Sequence, residues 1–401
     1  MTTQSDSVGS LIPAAYDGRE QALVKHQLLE QYLEKLFLIL GMASKAGRSV
    51  ELCYVDCFAG PWGDASDGME ATSIAISLKT LDGCRQTLAS LGAYMKIKAL
   101  YVEENAEAFA RLKTYLSSST PRGIRSECMR GDFVALRKDI LQWVGAEAFT
   151  FFFIDPKGFS EIGIPTLKPL LERPRSEFLI NLMYDHLNRV MSMQNWQSAM
   201  ADLVGQKLDL SGCTPVQREK KILHAYREGL KAWVPSTSSY PSRAAHARIM
   251  NPERERPKYH LVYVTSHPLG VVKFMQISES VDKIQARVRA VKRDVKKERA
   301  TGTGELWGTG ELIDLHAGHP ESGEVDRYWH DYLARGARTI DTTAFAEILE
   351  QTGWFEGDLQ SSLVRLAKAG RVINRTVDAR RRFKRPLHFD EKGGECLEWV
   401  I

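Results

Sequence analysis

The chain has 401 residues, of which 43% are hydrophobic and 26% are charged. This length exceeds one ordinary domain of ~150 residues, and the apolar content can build a sizeable core, which excludes wholesale disorder and predicts two or three folded units. The net charge of +4 excludes a polycation that binds through total charge alone. Two segments are nevertheless strongly basic: residues 282–299 carry +5 and residues 365–388 carry +8, which leaves −9 elsewhere.

The cysteines and the first fifteen residues indicate the cellular compartment of the protein. Six cysteines without a CxxC pair are too few for a disulfide scaffold, and their spacing with the histidines matches no common zinc site. Residues 1–15 lack the basic and apolar regions of a secretion signal, and no apolar run approaches the ~20 residues of a membrane span. We therefore expect a cytoplasmic protein without a metal and without membrane association.

Helical and strand-like segments alternate through the first half of the chain. Residues 20–41 carry apolar side chains at helical spacing and predict an amphipathic helix. Five short, apolar, β-rich runs follow, with a helical pattern between each pair: residues 52–58, 97–103, 124–131, 149–155 and 177–183. Helix-length crossovers join parallel strands, and near-continuous apolar strands are expected where helices cover both faces. The pattern predicts an α/β fold with a Rossmann-like doubly wound sheet.

The segments after the fifth strand are less regular. Residues 235–257, rich in Ser, Pro and mixed charge, predict a loop, and residues 259–265 predict a further strand. The apolar spacing of residues 274–291 predicts a helix, whose basic residues form either a solvated face or a nucleic-acid surface. Glycines between residues 301 and 310 indicate a linker.

This linker divides the chain into two predicted domains, at residues 1–300 and 301–401. The second domain has three helical patterns followed by a β-ribbon at residues 371–376 and 386–389, which favours a winged-helix-like α+β domain. Its basic side chains predict contacts with nucleic-acid phosphates, although many winged helices bind protein instead. The expected contact residues are Arg380, Arg381, Arg382, Lys384 and Arg385.

Candidate site residues follow the strands, because ligands of doubly wound sheets bind beyond the carboxyl ends of their strands. The first strand leads into the sequence Asp-Cys-Phe-Ala-Gly-Pro-Trp-Gly, which begins at Asp56 and includes Phe58. Gly60 and Gly63 would let the backbone approach a bound group closely. Such a loop is weak evidence by itself, and Asp56 is alternatively a cap of the following helix.

The next two strands end in residues suited to a nucleoside. Glu103 is placed to accept hydrogen bonds from two ribose hydroxyls, unless it is an ordinary surface acid. Asp132 can receive the exocyclic amine of adenine, and Phe133 can contact the ring. The sequence contains neither a P-loop lysine pattern nor a complete GxGxxG, so adenosine without pyrophosphate fits better. S-adenosylmethionine is the expected cofactor.

The fourth strand ends in Asp155, which would face the reacting end of the ligand. Asp155-Pro156-Lys157-Gly-Phe159 resembles the Asp-Pro-Pro-Tyr/Phe motif of amino-methylating class I S-adenosylmethionine-dependent methyltransferases. Asp56-Cys-Phe-Ala-Gly is similar to the first motif of that family, with Trp62 where the family has a glycine.

This resemblance implies roles for the fourth-strand motif. Asp155 and the carbonyl of Pro156 would accept the hydrogens of an adenine amine, and Phe159 would pack against the extruded base. Lys157 departs from the motif, because a cation does not help an amine to react. It suits the carboxylate or phosphate of a different acceptor.

Two further resemblances concern narrower families. Lys25-His26 resembles a feature of the bacterial ribosomal RNA adenine-N6 methyltransferases, which implies that His26, Glu103 and Asp132 bind the cofactor. The sequences that begin at Lys25, Tyr54, Phe152 and Glu177 are similar to those of the three-Cys-motif partner proteins (TcmP), over residues 22–291. That resemblance implies a three-Cys-motif partner, itself a radical S-adenosylmethionine protein.

The leading hypothesis is a cytoplasmic methyltransferase that acts on nucleic acid, at adenine N6 if the fourth-strand motif is a guide. One alternative is a non-catalytic nucleic-acid adaptor with a degenerate methyltransferase fold. Another is a methyltransferase for a peptide or a small molecule.

Overall fold

The computed structural model describes residues 12–16, 18–60, 69–185, 187, 191, 196–237, 239–252, 254, 256–301, 319–376, 385–390 and 393–400, without the side chains of residues 14 and 294–301. The chain forms two compact units, Met1–Ser266 and His267–Ile401. The boundary expected near residue 300 lies at the end of a long helix, whereas the structural division lies at the start of that helix.

A seven-stranded sheet forms the centre of the first unit. Its strands are β1 (Glu51–Asp56), β2 (Lys96–Glu103), β3 (Ile124–Arg130), β4 (Phe149–Ile154), β5 (Ser176–Leu182), β6 (Arg243–Met250) and β7 (Pro257–Thr265). The order is β3-β2-β1-β4-β5-β7-β6, in which β1 to β5 are parallel and β7 runs antiparallel to both neighbours. The predicted Rossmann-like doubly wound sheet is confirmed.

Helices supply the crossovers between the parallel strands. The crossovers are α2 (Ser73–Ser90), α3 (Ala106–Ser119), α4 (Phe133–Val144) and α5 (Ile164–Leu171). Helix α1 (Glu20–Gly41) precedes β1, and α6 (Trp196–Val204) and α7 (Pro215–Lys231) follow β5. Side-chain caps begin several of them: Thr72, Asn105 and Thr214 accept backbone N–H groups of the first turns of α2, α3 and α7. These caps satisfy donors that the helix itself leaves unpaired.

The sheet is buried on both faces. On one face, Phe152 and Phe178 stack with ring centroids 5.2 Å apart and belong to the large apolar core. On the other face, the buried Tyr32 of α1 hydrogen-bonds to Tyr263 and donates to the Glu177 carboxylate at 2.9 Å. This contact fixes α1 against β5 and β7, and so places the start of the helix at one edge of the sheet.

The loop prediction for residues 235–257 is wrong between Arg243 and Met250, which form β6. Among the described residues β6 pairs with β7 alone. Its burial is uneven, and Arg243, His246 and Arg248 interrupt the apolar pattern. An outer strand of this composition gives a weak alternation signal, which explains the error.

The second unit contains four helices and a small antiparallel sheet within its described residues. The elements are α8 (Pro268–Thr301), α9 (Ser322–Leu333), β8 (Arg338–Ile340), α10 (Thr342–Thr352), α11 (Glu356–Lys368), β9 (Val372–Asn374) and β10 (Glu395–Trp399). The sheet order is β8-β10-β9. The buried Trp329 donates its indole N–H to the Leu359 carbonyl at 3.2 Å, which joins α9 to α11.

The predicted β-ribbon of the second unit is wrong in its second strand. Residues 386–389 do not form a strand, and the partner of β9 is β10. Leu387 and Phe389 are buried all the same, and Phe389 stacks on Phe345 at 3.9 Å between ring centroids. The apolar residues of this segment therefore pack as a loop, a role that alternation alone does not distinguish from a strand.

None of the described helices combines the length and apolar character that a membrane crossing needs.

Candidate functional site

A cavity of about 360 Å³ lies at the edge of the sheet where β1, β4 and β5 end. Its walls come from the turn before α1 and the start of that helix, the loop after β1, the start of α2, and the start of β7. Cavities of this size are typical of small-molecule sites. The carboxyl edge of a doubly wound sheet is where such ligands bind.

The loop after β1 is held between the neighbouring strands. The Cys57 N–H donates to the Phe153 carbonyl at 2.9 Å, and the Ala59 N–H donates to the Val102 carbonyl at 2.8 Å. Phe58, Ala59 and Gly60 line the cavity. Gly63, the second glycine of the predicted loop, lies outside the described residues.

Asp56, the last residue of β1, holds this loop through hydrogen bonds and is not among the cavity-lining residues. Its buried carboxylate accepts the Phe58 N–H at 3.2 Å and the Ser73 hydroxyl at 2.6 Å. Burial raises the pKa of Asp56 to about 6, although both hydrogen bonds oppose the rise. The residue thus ties the loop to the start of α2.

Asp155 lies in the cavity wall and both of its oxygens are engaged. Oδ2 forms an ion pair with Lys25, and Oδ1 accepts the Asn181 side-chain amide at 2.6 Å. Pro156 and Lys157 also line the cavity, and Lys157 is exposed. Phe159 does not line the cavity but packs against the apolar core.

His26 lines the cavity from the first turns of α1. Its Nδ1 is hydrogen-bonded to the Tyr16 hydroxyl at 3.0 Å. Burial, with a further contribution from the Lys25 charge, lowers the pKa of His26 to about 3. The imidazole is therefore neutral at pH 7 and adds no charge to the site.

Glu103, the last residue of β2, and Asp132 and Phe133, which follow β3, lie outside the cavity lining. Glu103 is buried and accepts the Asn105 N–H at 2.6 Å. Asp132 caps α4 by accepting the Ala135 N–H at 2.9 Å, which is the helix-capping role open to such an aspartate. Phe133 packs on Phe58 with ring centroids 5.0 Å apart, so it supports the loop after β1 from the adjacent side.

Sequence reasoning missed several residues of this cavity, notably Asn181, Ser73 and Lys258. Asn181 could have been identified from the sequence, because it is a polar residue inside an apolar run. The strand register that pairs Ile154 with Ile180 places Asn181 beside Asp155. Ser73 and Lys258 could not have been identified in this way, because their proximity depends on how α2 and β7 pack at the sheet edge.

Of the five predicted nucleic-acid contact residues, the structure describes Arg385. Arg385 is ion-paired with Glu356 at 3.1 Å and with Asp390 at 3.2 Å, and its guanidinium lies over the Phe389 ring. Arg380, Arg381, Arg382 and Lys384 lie outside the described residues.

Among the residues that the structure describes, no group of three or more His, Cys, Asp or Glu side chains is arranged to hold a metal ion.

No protein-family model matches the chain, and no curated protein matches it. Three solved structures show a distant likeness. A candidate methyltransferase from Porphyromonas gingivalis is 15% identical over 39% of this chain and 34% of that chain, with a TM-score of 0.23. A DUF574 family protein from Streptomyces avermitilis is 10% identical over 63% and 88% of the two chains, with a TM-score of 0.30. A precorrin-6y C5,15-methyltransferase from Geobacter metallireducens is 12% identical over 58% and 87%, with a TM-score of 0.26.

The chain spans about a third of the length of the Porphyromonas structure. At these identities and TM-scores, the three likenesses assign no activity to this chain.

Proposed function

We propose that the first unit is an S-adenosylmethionine-dependent methyltransferase whose acceptor reacts beside Asp155. The observation that carries this proposal is the cavity at the carboxyl edge of a Rossmann-like sheet, with Asp155 in its wall. Glu103 ends β2 and Asp132 follows β3 at the same edge. The adenosine part of the cofactor would extend over these strands, and its reacting end would lie in the cavity.

The residues of the cavity fit such a cofactor. The apolar walls of Phe58, Ala59 and Ala71 suit its uncharged parts. When bound, the cofactor would supply a methyl carbon bonded to a sulfonium sulfur, which is the leaving group. The chain then has to align the acceptor with that carbon and exclude water.

Asp155 would orient the acceptor by accepting a hydrogen bond from it. Its oxygens are held by Lys25 and Asn181, so an acceptor amine has to replace or join one of these donors. Asn181 fixes the carboxylate from the β5 side, which leaves the Lys25 ion pair as the contact that an acceptor would exchange.

The proposal extends to a nucleic-acid acceptor through the second unit. Its element order from α9 to β10 and its sheet order β8-β10-β9 support a winged-helix interpretation, and the segment from 377 to 384 between β9 and β10 contains four basic residues. Basic side chains in such a position would bind phosphates. Membership of the TcmP family and the three-Cys-motif partner stay predictions that depend on the sequence motifs alone.

Calorimetry and a methyl-transfer assay test the proposal together. The chain should bind S-adenosylhomocysteine, and radiolabelled S-adenosylmethionine should transfer its methyl group to RNA or DNA. Asp155→Asn should reduce transfer at least 100-fold while cofactor affinity changes little, because the carboxylate is assigned to the acceptor. Asp139→Asn, on the exposed face of α4, is the matched control.

Absence of cofactor binding at millimolar concentration contradicts the enzyme and favours the adaptor alternative. Transfer to peptides or small molecules, with none to nucleic acid, would keep the enzyme and replace the acceptor.

A further inference from the structure

The cavity carries more positive than negative charge. Four of its lining residues are cationic, namely Arg19, Lys25, Lys157 and Lys258, whereas Asp155 is the carboxylate among them. His26 is neutral at pH 7 because burial lowers its pKa to about 3. The ionisable groups in the lining therefore sum to about +3, and the Lys25–Asp155 ion pair leaves this excess on the other cations.

Two of the cations flank the acceptor end of the cavity. Lys157 follows Asp155 by two residues at the end of β4. Lys258 lies at the start of β7, and this strand runs antiparallel to β5 with His260 opposite Leu182. The start of β7 therefore lies at the carboxyl end of β5, on the side of Asp155 away from the loop after β1.

Lys258 lies in an environment that disfavours its charge. Burial lowers the pKa of Lys258, and the nearby Lys25 lowers it further, while Asp185 and Glu20 oppose this change. Both carboxylates have other partners: Asp185 is ion-paired with Arg256 at 3.3 Å, and Glu20 accepts the Gly18 N–H at 2.9 Å. An anion in the cavity would stabilise the Lys258 ammonium.

We propose that Lys157 and Lys258 bind an anionic group of the acceptor, a phosphate or a carboxylate, beside Asp155. This inference deepens the proposed function and depends on it for the identity of the acceptor. Lysine ammoniums act as point charges for phosphate and form charge-assisted hydrogen bonds with it or with a carboxylate. Arg19 adds positive charge at the cavity wall. The departure of Lys157 from the amino-methylating motif then has a function, since it would position the anion next to the reacting atom.

Calorimetry with three probes tests this site. Inorganic phosphate represents a free phosphate, malonate represents a carboxylate, and the dinucleotide pApA represents a nucleic-acid backbone. The double variant Lys157→Met/Lys258→Met should weaken binding of at least one probe tenfold or more. Lys35→Met/Lys96→Met removes the same two charges at exposed positions on α1 and at the start of β2, and should leave binding unchanged.

The three probes also identify the source of the anion. Lysine-dependent binding of pApA well above that of phosphate indicates a nucleic-acid acceptor. Lysine-dependent binding of phosphate or malonate without a gain for pApA indicates a small anionic acceptor. If no probe binds in a manner that depends on these lysines, the proposal is overturned.

S-adenosylhomocysteine binding is measured on the same proteins. Absence of this binding in the wild-type chain, with lysine-dependent anion binding intact, overturns the proposed function and leaves the anion site standing. The reverse result overturns the anion site alone.

Discussion

Asp155 and Lys25 are 130 residues apart in the chain and form an ion pair in the cavity wall. Lys25→Met removes the cation that an acceptor amine has to displace, and it leaves Asn181 holding the other oxygen. We expect the apparent affinity for the acceptor to change, in either direction, by at least threefold, while the overall fold persists. Steady-state kinetics with varied acceptor measure this change.

Lys35→Met is the control, because Lys35 is exposed on the same helix. An unchanged KM and kcat in Lys25→Met would contradict the assignment of this ion pair to the acceptor.

Ser73 donates to a buried carboxylate, and its removal should destabilise the first unit. In Ser73→Ala, Asp56 keeps the Phe58 N–H but no longer has the hydroxyl at 2.6 Å. Leaving a buried charged acceptor without one of its donors costs about 1–3 kcal/mol. Denaturant unfolding should show that decrease in the free energy of unfolding at pH 7.

The loss of stability in Ser73→Ala should depend on pH. The pKa of Asp56 is raised to about 6, so its contribution to stability is present at low pH and declines as pH rises through 6. The Ser73 hydroxyl stabilises the ionised form of Asp56, so the deficit of Ser73→Ala should shrink as pH falls through 6 and the carboxyl is protonated. Ser90→Ala, at the exposed end of the same helix, should cost far less, and an equal cost for both would contradict this account.

The sequence was sufficient to place Asp155, Phe58 and Gly60 at one edge of the sheet, because parallel strands bring their carboxyl ends together, whereas His26 was expected there from a family resemblance alone. It was insufficient for Lys25 and Asn181 as the donors to Asp155. Those contacts depend on how α1 lies across the sheet and on side-chain reach, which periodicity does not specify.

At the scale of elements, His319 joins α8 to α11 in the second unit. Its Nδ1 is 2.6 Å from the Asp358 carboxylate, and its Nε2 is 3.7 Å from that of Asp282. Hydrogen bonds to Asp282 and Asp358 raise the pKa of His319 to about 10. The imidazolium bridges two helices that start far apart in sequence.

His319→Gln should destabilise the second unit by about 2 kcal/mol at pH 7, as expected for hydrogen bonds to a charged group. The stabilisation by His319 is fully present below the ordinary histidine pKa of 6.5 and is lost as pH rises through 10. The difference between the two proteins should therefore fade near pH 11. Thermal unfolding followed by circular dichroism measures it.

His330→Gln provides the comparison, because His330 is exposed and pairs with the adjacent Asp331. A similar destabilisation in both variants would mean that the bridge has no special role.

Element prediction succeeded where a pattern was long and periodic and failed where it was short. Helix α1 and strands β1 to β5 follow the expected segments closely. Strand β6 was missed because it is an outer strand with three basic or histidine residues, and β10 was misplaced because Leu387 and Phe389 are buried without forming a strand.

At the scale of the whole molecule, the charge is distributed unevenly: the segment 365–388 carries +8 in a chain of net charge +4. If this segment binds phosphates, Arg380→Ala, Arg381→Ala and Arg382→Ala together should weaken nucleic-acid binding. The slope of log affinity against log salt should fall by ~0.7 to 0.9 for each phosphate that the variant no longer neutralises. Fluorescence anisotropy at several salt concentrations measures both effects.

Arg122→Ala, exposed before β3 in the first unit, controls for charge alone. An unchanged slope in the triple variant would indicate that the basic segment has a protein partner instead.

The central claim is that a nucleoside-sulfonium cofactor lies across the carboxyl edge of this sheet. A crystal structure with S-adenosylhomocysteine at saturating concentration tests it most directly. We predict density for the reacting end of the ligand in the cavity between Phe58 and Asp155, and for its adenosine over the ends of β2 and β3, with the ribose hydroxyls directed towards Glu103. Density at another surface, or none in a crystal whose cavity is accessible, would contradict the claim.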